Sequence, residues 1–244
     1  MKMKDKKAEQ IAQKQAHKAR LQEAKTRRAA PDFQLPEPTR EERQRFLIVC
    51  EGLNTEPDYF HQLRQYFRLT AAEIVPVGGA GETIRVVERA QTESAKSRFD
   101  QVWVVFDKDD FPADNFDNAV EMAKASGFFS AYSNQSFEYW LILHFENHQG
   151  GAMHRDQYGD KINDYLTPFK LRYDAAGSKR ISSDFFSVLM GSDEKYDKSR
   201  LQLAIERAER IHGFHQENTP SAAESSTTVF KLVQALLKFV QVSG

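Results

Sequence analysis

The chain of 244 residues has a single cysteine, Cys50, so a disulfide framework is excluded and no Cys-x-x-Cys or Cys/His spacing exists for a structural zinc. Cys50 lies inside an apolar stretch, where it reads as a small buried hydrophobe rather than a nucleophile. No apolar run approaches the eighteen or more residues of a membrane span, and Met1 is followed by KMKDKK rather than a hydrophobic signal region. The expectation is a soluble, cytoplasmic protein without a membrane partner. There is no P-loop, so nucleotide hydrolysis would have to come from another protein. The glycine loop GGAGET, Gly78 to Thr83, has neither a following Lys-Ser/Thr pair nor dinucleotide spacing. It reads as a turn, although glycines near an acidic rim also let a phosphate approach closely. Internal repeats are absent.

Net charge is also scarce, at -1, but the charges are segregated. Residues 1–30 carry ten Lys or Arg against Asp5, Glu9 and Glu23, a balance of +7 that leaves -8 for the remainder. Such an arm suits approach to a polyanion, and it is equally the composition of a solvated, partly helical tail. APDFQLPEP, Ala30 to Pro38, has three prolines and no periodicity and reads as a linker. The expected organisation is an arm and linker over 1–40, an α/β core over 41–150 and a mostly helical region over 151–244 packed on that core.

What the core does contain is two unbroken apolar runs, each ending in acid. FLIVCEG, Phe46 to Gly52, delivers Glu51, and VWVVFDKDDF, from Val102, delivers Asp107 with Asp109 and Asp110 just beyond. Runs without polar alternation read as parallel strands buried on both faces, and ligands of open α/β sheets bind at the strands' carboxyl ends. Carboxylates gathered there without compensation call for a hard divalent cation.

Between and after these runs the pattern alternates. A helix of about four turns follows Thr55, which is expected to cap it with Asp58 three positions on. Further strands are expected over Ala72–Val77 and Phe128–Ser133, with helices through Ile84, Val87 and Ala90 and over 114–126, the latter closed by Gly127. SNQSFEYWLILHFENH should start a helix capped by Ser136, with Glu138 in its first turn. Glu138 then reaches the same rim, or only complements the helix dipole. His144 reads as a core histidine. Helices are expected over 154–165, 182–189 and 201–212, then a loop HGFHQENTPSAAESS, and Val229, Leu232, Val233, Leu236 and Val240 mark a last amphipathic helix. The predicted fold is a Rossmann-like, mostly parallel four-stranded sheet flanked by helices, with a helical C-terminal extension.

Glu51-Gly52 followed by Asp107-Lys108-Asp109 resembles the topoisomerase–primase (Toprim) pattern. With CEGLNTEPDYF, SNQSFEYWLILHF and TPSAAESSTTVF in order around it, residues 45–240 resemble the RloB family of bacterial abortive-infection and restriction loci. The resemblance implies a Toprim-like core and anti-phage defence. By likeness to OLD-type Toprim nucleases it also implies two Mg²⁺ ions, with Mn²⁺ able to substitute. Glu51 and Asp107 would hold the first, and Asp109, Ser136 and Glu138 the second. Where those nucleases often carry another acid four residues after the first Glu, this chain has Thr55 with Glu56 beside it, so the first site is either poorer or uses Glu56 instead.

Phosphodiester cleavage needs an activated water and neutralised phosphoryl charge. A lysine commonly assists, and Lys198 in KYDKSR, Lys179 in GSKR and Lys108 are candidates. Each is also an ordinary surface lysine. The expected catalytic set is Glu51, Asp107, Asp109, Glu138 and Lys198, in a metal-dependent nuclease acting on DNA or RNA, tRNA included, under a separate ATPase partner. The alternative is a non-catalytic module that binds nucleic acid or a partner as a regulatory subunit.

Overall fold

The computed structural model describes residues 44–76, 83–110 and 112–240, all within one compact unit, Leu35–Gly244. The basic arm, the proline-containing linker and nearly all of the glycine loop lie outside the described residues. In chain order the first half comprises β1 (Phe46–Cys50), α1 (Thr55–Tyr66), β2 (Ala72–Pro76), α2 (Thr83–Ser94), β3 (Gln101–Asp107), α3 (Ala113–Ala125), β4 (Phe129–Asn134) and α4 (Glu138–Leu143). The second half comprises α5 (Tyr158–Leu166), α6 (Ser183–Leu189), β5 (Ser192–Asp193), β6 (Lys198–Ser199), α7 (Arg200–Phe214), β7 (Ser226–Thr227) and α8 (Val229–Leu237). No helix among the described residues is long and apolar enough to cross a membrane.

The main sheet has the order β2-β1-β3-β4-β7. Its first four strands run parallel, Val49 lying opposite Val104 and Asp107 opposite Ser133. Both apolar runs are buried on both faces, and their alternate residues feed two separate cores. Leu47, Val49, Val104 and Phe106 pack against Val86, Val87 and Ala90 of α2 and Phe116 and Ala119 of α3. Ile48, Cys50, Trp103 and Val105 face α1 and the helices from α4 onward. α8 closes that second core by burying Val229, Leu232, Val233 and Leu236, each worth roughly 1.5–3 kcal/mol of removed apolar surface. α3 ends as its sequence suggests, with Gly127 at φ +73° just past the helix.

Two local features differ from expectation. The sheet has a fifth strand, β7, antiparallel to β4, where the segment expected to be a loop ends. It is only two residues long and polar. Its attachment runs through hydroxyls: Ser133 Oγ and Thr227 Oγ1 are 3.0 Å apart, and Tyr132 N donates to Thr228 Oγ1 at 2.9 Å. Thr55 and Ser136 do not act as caps. Asn54 and Phe137 occupy those positions; the Thr55 hydroxyl is used in a tertiary contact at the site and that of Ser136 in a local bond to Glu138.

Candidate functional site

The path from β1 to β2 and then to β3 reverses direction across the sheet, so the crevice at the carboxyl ends of β1 and β3 is the topological switch point. Glu51 and Asp107 stand on its two sides. Glu51 N donates to Val105 O at 2.9 Å, and Asp107 N donates to Glu51 Oε2 at 3.0 Å. The chain then turns through Gly52 into α1, whose first turn brings buried Glu56 back over the turn. Gly52 N donates to Glu56 Oε1 at 3.3 Å. A Cβ on residue 52 would meet Glu56 Oε2 at 2.3 Å, so any side chain there would push the Glu56 carboxylate out of this position.

The fourth acid arrives from β4. Phe137 N, at the start of α4, donates to Asp107 Oδ2 at 3.0 Å, locking the helix start to the switch point. Glu138 is 5 % exposed. Its Oε2 accepts from Ser136 Oγ at 2.7 Å and its Oε1 from Tyr173 OH at 2.8 Å, with Lys179 Nζ 3.7 Å away. Thr55 Oγ1 donates to Lys179 O at 3.0 Å and lies 3.1 Å from Tyr173 OH. Asn54 Nδ2 donates to Ser178 O at 2.9 Å, and Asp58 Oδ2 accepts from Ile181 N at 3.1 Å. These bonds strap residues 173–181 across the start of α1 and hold Lys179, at φ +49°, beside Glu138.

The electrostatics of this arrangement are unfavourable to charge. Burial pushes the Asp107 carboxyl well above its ordinary range, and Glu56, Glu138 and Glu51 push it further. Glu56 is raised to about 7, first by burial and then by Glu138 and Glu51. Glu51 is raised by burial, against the hydrogen bond from Asp107 N and the attraction of Arg155. Asp107 Oδ1 is buried and has no hydrogen-bond partner. An orphaned carboxylate oxygen among mutually repelling acids is chemistry that a hard divalent cation would satisfy. Glu51, Glu56 and Asp107 therefore fit the first expected ion in donor type. Among the described residues, no three Cys, His, Asp or Glu side chains already converge as a metal site.

The second expected set is not brought together in this way. Asp109 adopts φ +47°, a left-handed conformation that aspartate tolerates, and its carboxylate pairs with Arg155. Ser136 is committed to Glu138, and both oxygens of Glu138 already accept hydrogen bonds. As arranged, Asp109, Ser136 and Glu138 do not fit a shared ion. Lys198 is also elsewhere: its ammonium donates to both oxygens of Glu206, at 2.7 and 2.9 Å, on an exposed surface. Of the three candidate lysines, Lys179 is the one that meets the acids. Lys108 holds the rim through its backbone, donating to Ser133 O at 3.0 Å.

Cys50 is fully buried, with its thiol pushed up by that burial and by Glu56 and Asp107. His144 is a core residue, its Nδ1 3.0 Å from Trp140 O, and burial lowers it to about 3. Tyr173 and Arg155, which reach two of the acids, have no local sequence signal. Tyr173 sits in irregular chain and Arg155 opens a short 3-10 turn, and both act across more than thirty residues.

Beside Glu138 the chain encloses a cleft of about 420 Å³. Ser136 and Glu138 lie on its inner wall, and its other charged lining residues are Arg155, Arg172 and Lys179 with Asp156, Asp160 and Asp174.

Fold and site together define a Rossmann-like α/β protein with an acidic centre at the switch point of its sheet. The chain matches the RloB-like protein family over residues 46–236 and belongs to it. Membership is consistent with a defence-related protein. No curated protein matches the chain.

Proposed function

We propose that the chain is a divalent-metal-dependent nuclease with a Toprim-type core, hydrolysing phosphodiester bonds of DNA or RNA in anti-phage defence. The observation that carries this reading is the gathering of Glu51, Glu56, Asp107 and Glu138 at the switch point, with Asp107 Oδ1 buried and unpartnered. Glu51, Glu56 and Asp107 would hold one Mg²⁺ or Mn²⁺, which when bound activates a water and neutralises phosphoryl charge. The chain's own residues supply the rest. Lys179 faces the cleft from Glu138 and is placed to neutralise a phosphate oxygen. Arg155 offers a planar fork to a second oxygen. Glu56 and Glu138 are buried beneath the site, while Glu51 and Asp107 remain half-buried and open to a metal and its waters. With no P-loop of its own, the chain would be controlled by a separate ATPase.

The test is calorimetric titration of Mg²⁺ and Mn²⁺ into the wild type and Asp107→Ala, with tRNA and plasmid DNA incubated alongside. Metal binding by the wild type, with cleavage lost in the variant, is expected. Failure of the wild type to bind either ion at millimolar concentration would sink the reading. A second reading, a non-catalytic regulatory module, draws on the pairing of Asp109 with Arg155 and the full hydrogen bonding of Glu138. It expects a biological effect indifferent to Asp107→Ala.

A further inference from the structure

The cleft beside Glu138 has features that cleavage of a phosphodiester does not by itself require. Its volume of about 420 Å³ is near the small end of single-ligand sites, roughly 300–1,000 Å³. Its inner wall is deep: Ser136 is 2 % and Glu138 5 % exposed, and Tyr173 is 1 % exposed. Two of its charged residues are uncommitted. Arg172 makes no hydrogen bond or ion pair among the described residues, its charge reaching Asp174 only through space, and Asp160 makes none either. The other two cations, Lys179 and Arg155, each sit against an acid of the site.

We infer that the cleft receives one unpaired nucleotide flanking the bond to be cut, with Arg172 on its phosphate and Asp160 on an amino group of its base. The inference rests on the nuclease reading for the position of the bond, but the cleft's shape and chemistry stand apart from the reaction. A stacked, paired base inside a duplex is too wide to enter, whereas a looped-out or single-stranded nucleotide presents both its phosphate and its pairing edge. A guanidinium is suited to a phosphate, and a carboxylate accepts from exocyclic amino groups such as that of cytosine. Residues 173–176 and Lys179 of the strap form one wall of the cleft, and the strap is held by Thr55, Asn54 and Asp58.

The experiment is anisotropy titration of the full chain with fluorescein-labelled 12-nucleotide single strands of DNA and RNA and the matching duplexes, with Ca²⁺ replacing Mg²⁺ to hold off cleavage. Salt is kept near 0.2 M to suppress sequence-independent contacts from the basic arm. The variants are Arg172→Ala and Ala176→Trp, both at exposed cleft positions, with unchanged melting temperature as the folding control. Single strands should bind at least tenfold tighter than duplexes, and both variants should cut that preference to about twofold or less. The DNA and RNA arms identify the sugar. Equal binding of duplex and single strand, wild-type behaviour of both variants, or no binding of any probe would each overturn the inference. If duplex is bound equally and Asp107-dependent cleavage occurs once Mg²⁺ is restored, the cleft assignment fails and the nuclease stands. A strand preference with no cleavage in Mg²⁺ or Mn²⁺ leaves the cleft assigned and removes the nuclease.

Discussion

Glu56→Gln separates the cost of gathered charge from every other contribution of the site. In the folded chain the Glu56 carboxyl is raised from 4.5 to about 7. Below pH 4.5 it is protonated whether folded or unfolded, and the shift has no effect on stability. Between 4.5 and 7 the unfolded chain releases the proton while the folded chain keeps it, so stability falls as pH rises. Above 7 the full penalty applies, about 3 kcal/mol for a shift of this size. Glutamine resembles the protonated acid in shape and keeps an oxygen to accept from Gly52 N, but it cannot ionise. The variant and the wild type should therefore melt together near pH 4 in EDTA. At pH 8 the variant should melt higher, by about 7 °C for a body of this size. Thermal unfolding followed by circular dichroism at the two pH values gives the answer. The difference between variants is the quantity to read, because Asp107 and Glu51 are raised as well and tilt the wild-type curve in the same direction. A variant equally stable at both pH values relative to wild type, or less stable at pH 8, would refute the reasoning by showing that the charge is already compensated.

Three further outcomes follow from the same geometry. Gly52→Ala should cost roughly 1–2 kcal/mol by forcing its Cβ onto the Glu56 carboxylate, and chemical denaturation should show most of that cost removed in a Glu56→Ala background. Thr55→Val strips the hydroxyl from Lys179 O and should destabilise by about 1–2 kcal/mol; hydrogen exchange should rise over 173–181 while the central strands keep their protection. Lys179→Ala should lower cleavage by about 10²–10³-fold, whereas Lys198→Ala, which breaks only an exposed pair with Glu206, should leave cleavage intact and stability within about 0.5 kcal/mol. Equal effects of the two lysines in a cleavage assay would reverse their assignment.

The parts of this structure that sequence reveals are those specified by neighbours along the chain. β1 and β3 are continuous apolar runs because both their faces are covered, and that requirement is written into consecutive residues. The acids that end them need no distant partner to be noticed. β7 is different: Ser226 and Thr227 carry no strand pattern, and the segment pairs because Ser133 meets Thr227 and Tyr132 meets Thr228 across more than ninety residues. Thr55 and Ser136 have the chemistry of helix caps, and a local reading assigns them that role. The fold gives Thr55 to a strap more than a hundred residues later and Ser136 to Glu138, while Asp107 receives the Phe137 amide. Among the lysines, spacing held no information, since Lys179 and Lys198 are told apart only by which carboxylate each one meets.

The polar pairing of β7 with β4 also sets an order of events during synthesis. β4 leads directly into Ser136 and Glu138, and its outer edge is completed by residues 226–228, with α8 closing the core behind it. A ribosome that has released the chain only as far as α7 has exposed every acid of the site, with β4 paired to β3 alone. At about 5–20 residues per second, the outer edge of β4 and the second core stay open until translation is nearly past α8. A chain stalled or cleaved before that point would carry all the acids on a sheet whose edge strand still offers its backbone to other chains.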